Sequence, residues 1–242
     1  MDNSKFIKEL DTLGIHLSDI QQEQFDRYYE LLIEWNRVMN LTGITAYEEV
    51  NLKHFTDSLT IVRINDMKNV STLIDIGTGA GFPGIPIKIA FPHIKVVLLD
   101  SLNKRIKFLN EVVEKLNLDN VETLHGRAED YAKQSAYREQ YDLCVSRAVA
   151  NLATLSEYCL PYVKEGGYFI SYKSGAVEEE VNQSKKAIAE LGGKVKEVIA
   201  FTLPDTDIER TFVVIEKIKK TQKKYPRKAG LPSKEPIGLQ IK

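Results

Sequence analysis

Hydrophobic positions in residues 1–65 recur at helical spacing. Phe6, Leu10 and Leu13 predict a first helix, with Gly14 as its stop. Ser18-Asp19-Ile20-Gln21 has the form of a capping box. The stripe Ile20, Phe25, Tyr28, Leu31, Leu32, Trp35, Val38 and Met39 extends the helix it opens to about Met39. Asn40 to Thr45 breaks it, and Val50, Phe55, Leu59 and Val62 predict a third helix from about Tyr47 to Ile64.

From Ser71 the period changes. Thr72–Ile76 is a short apolar run ending in glycines, the signature of a buried strand. A helix at about Gly84–Ala90 follows, then strand Lys95–Leu99, helix Lys104–Leu116, strand Val121–Leu124 and a helix near Glu129–Gln134. Strand Tyr141–Val145, helix Leu152–Val163 and strand Tyr168–Tyr172 complete five alternations, which predict a parallel sheet covered on both faces. After helix Val177–Leu191, strands Lys194–Phe201 and Thr211–Ile218 are joined only by Thr202–Arg210. That is too short for a parallel crossover, so the last pair reads as an antiparallel hairpin. The fold class is α/β, with a mostly parallel seven-stranded sheet whose last strand is reversed. The expected organisation is a helical extension (1–68), an α/β core (69–218) and a tail (219–242) whose lysines, prolines and Gly230 oppose regular structure.

Composition narrows the class. At 43% hydrophobic and 28% charged residues the chain reads as an ordinary globular protein, not a disordered, collagenous or coiled-coil one. No apolar run is long enough to span a membrane, and the start lacks an apolar signal segment. Cys144 and Cys159 sit in apolar stretches, as reduced cysteines of a cytoplasmic protein do, and no histidine pair has metal-ligand spacing. The net charge of −1 hides an asymmetry. Residues 216–242 carry nine Lys/Arg against two acids, a net of +7, which leaves −8 for the remainder. A basic tail on an acidic body points to a polyanionic partner.

The chemistry concentrates at Asp75-Ile76-Gly77-Thr78-Gly79-Ala80-Gly81-Phe82-Pro83-Gly84. Glycines after a strand allow a tight turn and close approach of a ligand to a helix N-terminus. Gly79-x-Gly81-x-x-Gly84 matches the dinucleotide pattern, and Asp100 at the end of the second strand is placed for a ribose diol. These features fit NAD and S-adenosylmethionine equally. Three others favour S-adenosylmethionine and a Rossmann-like class I methyltransferase. Asp75 offers a charge to a methionine amino group but would repel a pyrophosphate. Leu160 to Ile170 follows the helix–Pro–Gly-Gly–strand passage of that class, and the closing hairpin matches its reversed strand.

Further blocks sharpen the resemblance. They are Trp35-Asn36 with Asn40-Leu41-Thr42, His54-Phe55-Thr56-Asp57-Ser58-Leu59, DIGTGAGFPGIP, LLDSLNKRIKFL, HGRAED, SRAVANL and KKYPRKAGLPSKEPIG. Together and in order they resemble the bacterial small-subunit ribosomal RNA (guanine-N7) methyltransferases, the RsmG or glucose-inhibited division protein B family. Lys173-Ser174 stands where that family often has Lys-Gly. The resemblance implies S-adenosylmethionine as methyl donor and N7 of a guanine in the 530 loop of 16S ribosomal RNA as acceptor. It implies cofactor contacts from Gly77, Gly79 and Phe82, with Asp75 and Gly81 in the same loop, from Asp100 and Ser101, from Ala128 and Glu129, and from Arg147.

The residues also exclude alternatives. Methylating C5 of a pyrimidine needs a cysteine nucleophile, and both cysteines are expected within regular elements. Methylating an exocyclic amine usually comes with an Asn/Asp-Pro-Pro-aromatic loop after strand four, where this chain has Ser146-Arg147-Ala148-Val149. Guanine N7 carries an in-plane lone pair and no proton, so no general base is expected. Arg147, then Lys173, are the candidates to donate to O6 and position the base. His54 and Asp57, one turn apart, read either as part of the substrate mouth or as a buried polar cluster. Lys223, Lys224, Tyr225, Arg227 and Lys228 suggest phosphate binding with one aromatic face for stacking, a docking surface for 16S ribosomal RNA or the small subunit. A methyltransferase of another substrate, an NAD(P)-dependent oxidoreductase and a non-catalytic RNA-binding module are the rival readings.

Overall fold

The computed structural model describes residues 2–64, 66–147 and 150–239. Helices α1 (Ser4–Thr12) and α2 (Asp19–Met39) open the chain. The capping box forms as expected: Ser18 Oγ accepts from Gln21 N, while Gln21 Oε1 accepts from Ser18 N at 2.9 Å. Asn40 ends α2 in a left-handed conformation. Phe25, Tyr28, Leu31 and Leu32 are buried, but Ile20 and Val38 are 69% and 79% exposed. They stand at the rims of a stripe that is narrower than the sequence suggests.

The third helical segment is not one α-helix. It starts as α3 (Tyr47–Val50), widens into a π-helical turn (Asn51–Thr56), narrows to α4 (Asp57–Leu59) and closes as a 3₁₀ turn (Thr60–Arg63). A π turn rotates the residues after it relative to those before, and such turns are frequent at functional sites. Apolar spacing does not reveal it, because Val50, Phe55 and Leu59 are buried either way.

The core alternates as expected: β1 (Thr72–Ile76), α5 (Gly84–Ala90), β2 (Lys95–Asp100), α6 (Asn103–Lys115), β3 (Val121–His125), α7 (Ala128–Tyr131), β4 (Tyr141–Arg147), α8 (Leu152–Cys159), β5 (Val163–Lys173), α9 (Glu178–Glu190), β6 (Gly193–Thr202) and β7 (Glu209–Lys217). The sheet order is β3-β2-β1-β4-β5-β7-β6. The pairs among β1 to β5 are parallel, and β7 runs antiparallel to both β5 and β6. The order reverses between β1 and β4, and a crevice outside the carboxyl ends of strands at such a switch point is where open α/β sheets bind ligands.

Alternate strand residues separate the two cores. Leu73, Val96, Leu98, Leu143, Val145 and Phe212 pack with Phe6, Phe25, Tyr28, Leu31 and Phe55 of the N-terminal helices. Ile74, Val97, Cys144, Phe169 and Val213 pack with the opposite helices and with Tyr225. The N-terminal helices therefore share a core with the sheet.

The tail departs from its expectation. It is fastened to the body and holds a short helix, α10 (Leu231–Lys234). Arg138 donates to the carbonyls of Thr221, Gln222 and Tyr225 at 2.8–3.2 Å. Arg227 grips the buried Glu157 carboxylate, Nη2 to Oε2 at 2.7 Å and Nε to Oε1 at 3.0 Å. Among the described residues, no helix is long and apolar enough to cross a membrane.

Candidate active site at the switch point

Two cavities meet at the carboxyl ends of β1, β2, β4 and β5. The first measures 380 Å³ and is lined by Gly77, Thr78, Gly79, Ala80 and Phe82 from the loop after β1, by Asp100, Ser101 and Arg105, by Leu41, Thr42 and His54, and by Arg147. That volume lies in the range of small-molecule sites, about 300–1,000 Å³.

The glycines of the loop do different jobs. Gly79 adopts φ +63°, and a Cβ there would meet nothing within 4 Å, so the open space in front of it is a cradle for a ligand. Gly81 does not line the cavity. A Cβ there would lie 2.7 Å from Ile85 Cγ1 and from the Tyr28 hydroxyl, so it is glycine for packing. Gly81, expected among the cofactor contacts, packs against the helices behind the loop.

Asp75, expected at the methionine end of the cofactor, faces away from the cavity lining. It is fully buried behind the loop, where Oδ2 accepts from Thr78 Oγ1 at 2.7 Å and Gly84 N at 2.9 Å. It fixes the shape of the loop and does not line either cavity. Oδ1 has no partner among the described residues, and burial pushes the carboxyl up to about 7 against those two donors.

Asp100, nearly buried, closes the end of β2. Its Oδ2 accepts from Gly79 N at 2.9 Å and Arg105 Nη1 at 3.2 Å, and its Oδ1 from Leu102 N at 2.9 Å. The acid that a ribose diol would meet is thus already aimed by the glycine loop. Ala128 and Glu129 lie outside the cavity lining. The Glu129 carboxylate accepts from Gly230 N of the tail at 2.8 Å, and the Ala128 carbonyl accepts from Tyr162 Oη at 2.6 Å. The structure does not bring these two into the cavity.

The second cavity, 340 Å³, shares His54 and Arg147 with the first and adds Ile44, Lys53, Asp57, Tyr172, Lys173, Ser174 and Arg210. Asp57 organises it. Its buried carboxylate accepts from Arg147 Nη1 at 3.0 Å on one oxygen and from Arg210 Nε at 2.9 Å on the other. The π turn makes this possible by presenting the Lys53 carbonyl, 3.3 Å from Arg147 Nη1, and His54 on the same side. His54 stacks on Phe82 with centroids 4.5 Å apart, faces Thr42 Oγ1 at 2.8 Å through Nε2, and meets Arg147 Nη2 at 3.3 Å through Nδ1. Nδ1 also lies 3.1 Å from the Lys53 carbonyl, and burial and the Arg147 charge push the ring's pKa down to about 4, which keeps it neutral.

Of the candidate positioning residues, Arg147 stands between the cavities, 5.1 Å above the Phe82 ring. Lys173 reaches Glu180 Oε1 at 2.7 Å and the Ala150 carbonyl at 3.2 Å. Ala148 and Val149, the remainder of the loop after strand four, lie outside the described residues.

Sequence reasoning assigned no role to Thr42, Arg105 or Arg210. Arg210 had a readable signal. It opens the reversed strand next to Thr211, which pairs with Lys173 at the end of β5. Closing the expected hairpin brings its side of the sheet to the active end.

Two of the expected RNA contacts have partners within the chain. Tyr225 is 8% exposed, with its hydroxyl 3.1 Å from Glu190 Oε1, so its ring offers no stacking face. Arg227 is held by Glu157. Lys224 sits 3.1 Å from Glu190 Oε1, whereas Lys223 and Lys228 are exposed.

Mostly parallel sheet, reversed strand and glycine-loop cavity together define a class I S-adenosylmethionine-dependent methyltransferase. The fold is similar to that of a SAM-dependent O-methyltransferase from Thermotoga maritima (TM-score 0.52, 19% identity, 79% of this chain and 72% of that one). It is also similar to that of a SAM-dependent methyltransferase from Aquifex aeolicus (TM-score 0.52, 20% identity, 72% and 94%). The profile of the GidB family, described as rRNA small subunit methyltransferase G, matches residues 21–212, and the chain belongs to that family. Relatives named ribosomal RNA small subunit methyltransferase G are similar throughout. That of Lachnoclostridium phytofermentans is 57% identical over 98% of both chains. That of Alkaliphilus metalliredigens is 52% identical over 98% of this chain and all of the relative.

Proposed function

We propose that this enzyme transfers the methyl group of S-adenosylmethionine to N7 of a guanine in the 530 loop of 16S ribosomal RNA, in the cytoplasm. The observation that carries the reading is the pair of cavities with a common wall. One is shaped by a glycine loop and an acid, the other is lined by Lys53, Arg147, Lys173 and Arg210 around one carboxylate. A cationic second cavity suits a nucleotide of a polyanion, and the family to which the chain belongs is named for small-subunit ribosomal RNA.

The residues in the first cavity suit S-adenosylmethionine. Gly77, Gly79 and Phe82 would line its methionine side, and Asp100 with Ser101 would meet the ribose. When bound, S-adenosylmethionine supplies an activated methyl on a sulfonium. The guanine N7 lone pair forms the new N–C bond as the S–C bond breaks, and the positive charge passes to the base. No proton is removed, so the chain needs alignment and not a base. Arg147 is the residue placed to align. Fixed by Asp57, the Lys53 carbonyl and His54, it can present a guanidinium N–H to the O6/N7 edge that identifies guanine. Lys173 and Arg210 line the second cavity with it and would add positive charge toward RNA phosphates. Lys223 and Lys228 remain free to meet RNA phosphates further out.

The test incubates the protein with methyl-labelled S-adenosylmethionine and small-subunit RNA or particles from cells lacking it, and maps the product by N7-specific strand scission. Cleavage at one 530-loop guanine is expected. Binding of S-adenosylmethionine without transfer to RNA or particles would overturn the acceptor while leaving the cofactor in place.

A further inference from the structure

Helix α2 does more than cover the sheet. Tyr28, at its middle, is fully buried, and its hydroxyl donates to the Ala80 carbonyl within the glycine loop. A side chain on Gly81 would occupy the place of that hydroxyl. The Tyr28 ring lies against Phe82, centroids 5.5 Å apart, and stacks on Phe55 at 5.2 Å. Ala80 and Phe82 both line the first cavity. Burial pushes the Tyr28 phenol up, which keeps it a donor at any working pH. The rest of α2 holds the elements that flank the loop. Gln21 Nε2 donates to the carbonyls of Ile89 and Ala90 at the end of α5, and Trp35 Nε1 to Glu111 Oε2 of α6 at 3.1 Å.

We propose that Tyr28 is a positioning residue of the cofactor site, its hydroxyl holding the Ala80 carbonyl and thereby the Gly79–Phe82 segment in the shape that receives S-adenosylmethionine. The N-terminal helices then complete a site that strands and glycines alone only outline. The physical reason lies in the loop. Gly79 and Gly81 both have positive φ and wide conformational freedom; Gly79 N, Gly81 N and Phe82 N are held by Asp100 and the Thr78 carbonyl, and the Ala80 carbonyl takes its donor from Tyr28. Asp75 restrains its two ends through Thr78 and Gly84, and Tyr28 restrains the middle. This inference rests on the cofactor cavity and not on the identity of the acceptor.

Tyr28→Phe keeps the ring and removes the hydroxyl. Isothermal titration should show the Kd for S-adenosylmethionine and for S-adenosylhomocysteine rising about tenfold, because a buried carbonyl then loses its donor. Affinity for small-subunit RNA should stay within twofold, and kcat at saturating S-adenosylmethionine within threefold. Amide hydrogen exchange should quicken at residues 78–82. Trp35→Phe, which cuts the Glu111 bond elsewhere on the same helix, should lower the melting temperature and leave cofactor affinity within twofold. Unchanged cofactor affinity in Tyr28→Phe would overturn the proposal. So would an equal loss in Trp35→Phe, which would make helix stability alone the cause.

Discussion

The two cavities share a wall and differ in how they are made. The first takes its floor from the Gly77–Phe82 loop and from Asp100, Ser101 and Arg105 at and beyond the end of the neighbouring strand, and borrows Leu41, Thr42, His54 and Arg147 from further away. The second is assembled from Lys53 to Asp57, the ends of β4 and β5, and the start of β7. The first is held by backbone shape, positive φ and hydrogen bonds to buried acids. The second is held by one buried carboxylate between two guanidinium groups. A binding pocket for a common cofactor can be local and recognisable, while a pocket that selects a substrate draws on side chains from distant segments.

Breaking the second cavity should cost most. Asp57→Ala leaves Arg147 and Arg210 without their counter-charge. A buried ion left unpaired costs about 3–5 kcal/mol, and the partial exposure of both arginines brings the expectation to about 2–4 kcal/mol in urea unfolding. S-adenosylmethionine affinity should change far less than methyl transfer. Arg147→Lys is gentler on the fold, because the charge remains, but a lysine cannot meet Asp57, Lys53 and His54 together. Turnover should drop about a hundredfold, the scale of a small misplacement of a reacting group, and the assay is initial rate at saturating cofactor.

The first cavity should respond in its own way. Gly79→Ala forces a side chain into a left-handed conformation, about 1–2 kcal/mol. Its methyl also points into open ligand space, so cofactor affinity should fall about tenfold by titration while RNA affinity holds. A matched loss of RNA affinity would show that the two cavities are not separable in this way.

Acid and base should tell the same regions apart with opposite sign. His54 has a folded pKa of about 4 against an ordinary 6.5, so the unfolded chain binds the extra proton between them. Its contribution to stability is complete above pH 6.5 and is lost as pH falls toward 4, at up to about 1.4 kcal/mol per unit. Asp75 has a folded pKa of about 7 against 3.8, so its contribution is complete below pH 3.8 and is lost as pH rises toward 7. Urea unfolding across pH 4–7 should therefore show a shallower rise in His54→Gln and a steeper one in Asp75→Asn. The smallest effect is expected outside both cavities. Replacing Lys223 and Lys228 by Gln should lower the salt slope of RNA binding by about two, since each phosphate contact contributes about one.

Strand order, the reversed hairpin and the glycine loop were legible because they rest on local rules: period, linker length and the freedom of glycine. The places of Gly77, Gly79, Asp100 and Arg147 along one cavity were legible for the same reason, each standing at or just after the end of a strand whose direction was known. Asp75 and Gly81 stand in the expected loop but outside the cavity lining. A carboxylate before a glycine loop can face a ligand or fasten the loop, and only burial and partners distinguish the two. Glu129 and Tyr225 have contacts no local pattern shows, since the tail folds back, takes the Glu129 carboxylate and buries the Tyr225 ring.

By itself, the amino-acid sequence determined the class of fold, the place of the cofactor loop and the family, because each follows from short stretches whose geometry is nearly independent of context. The tertiary structure decided which of two acids lines the cavity, which lysines stay exposed, and that a helix outside the sheet reaches the glycine loop. It also decided that Asp57 joins Arg147 to Arg210. Those contacts span 90 and 153 positions of chain, and their energies depend on burial, which no local pattern of residues encodes.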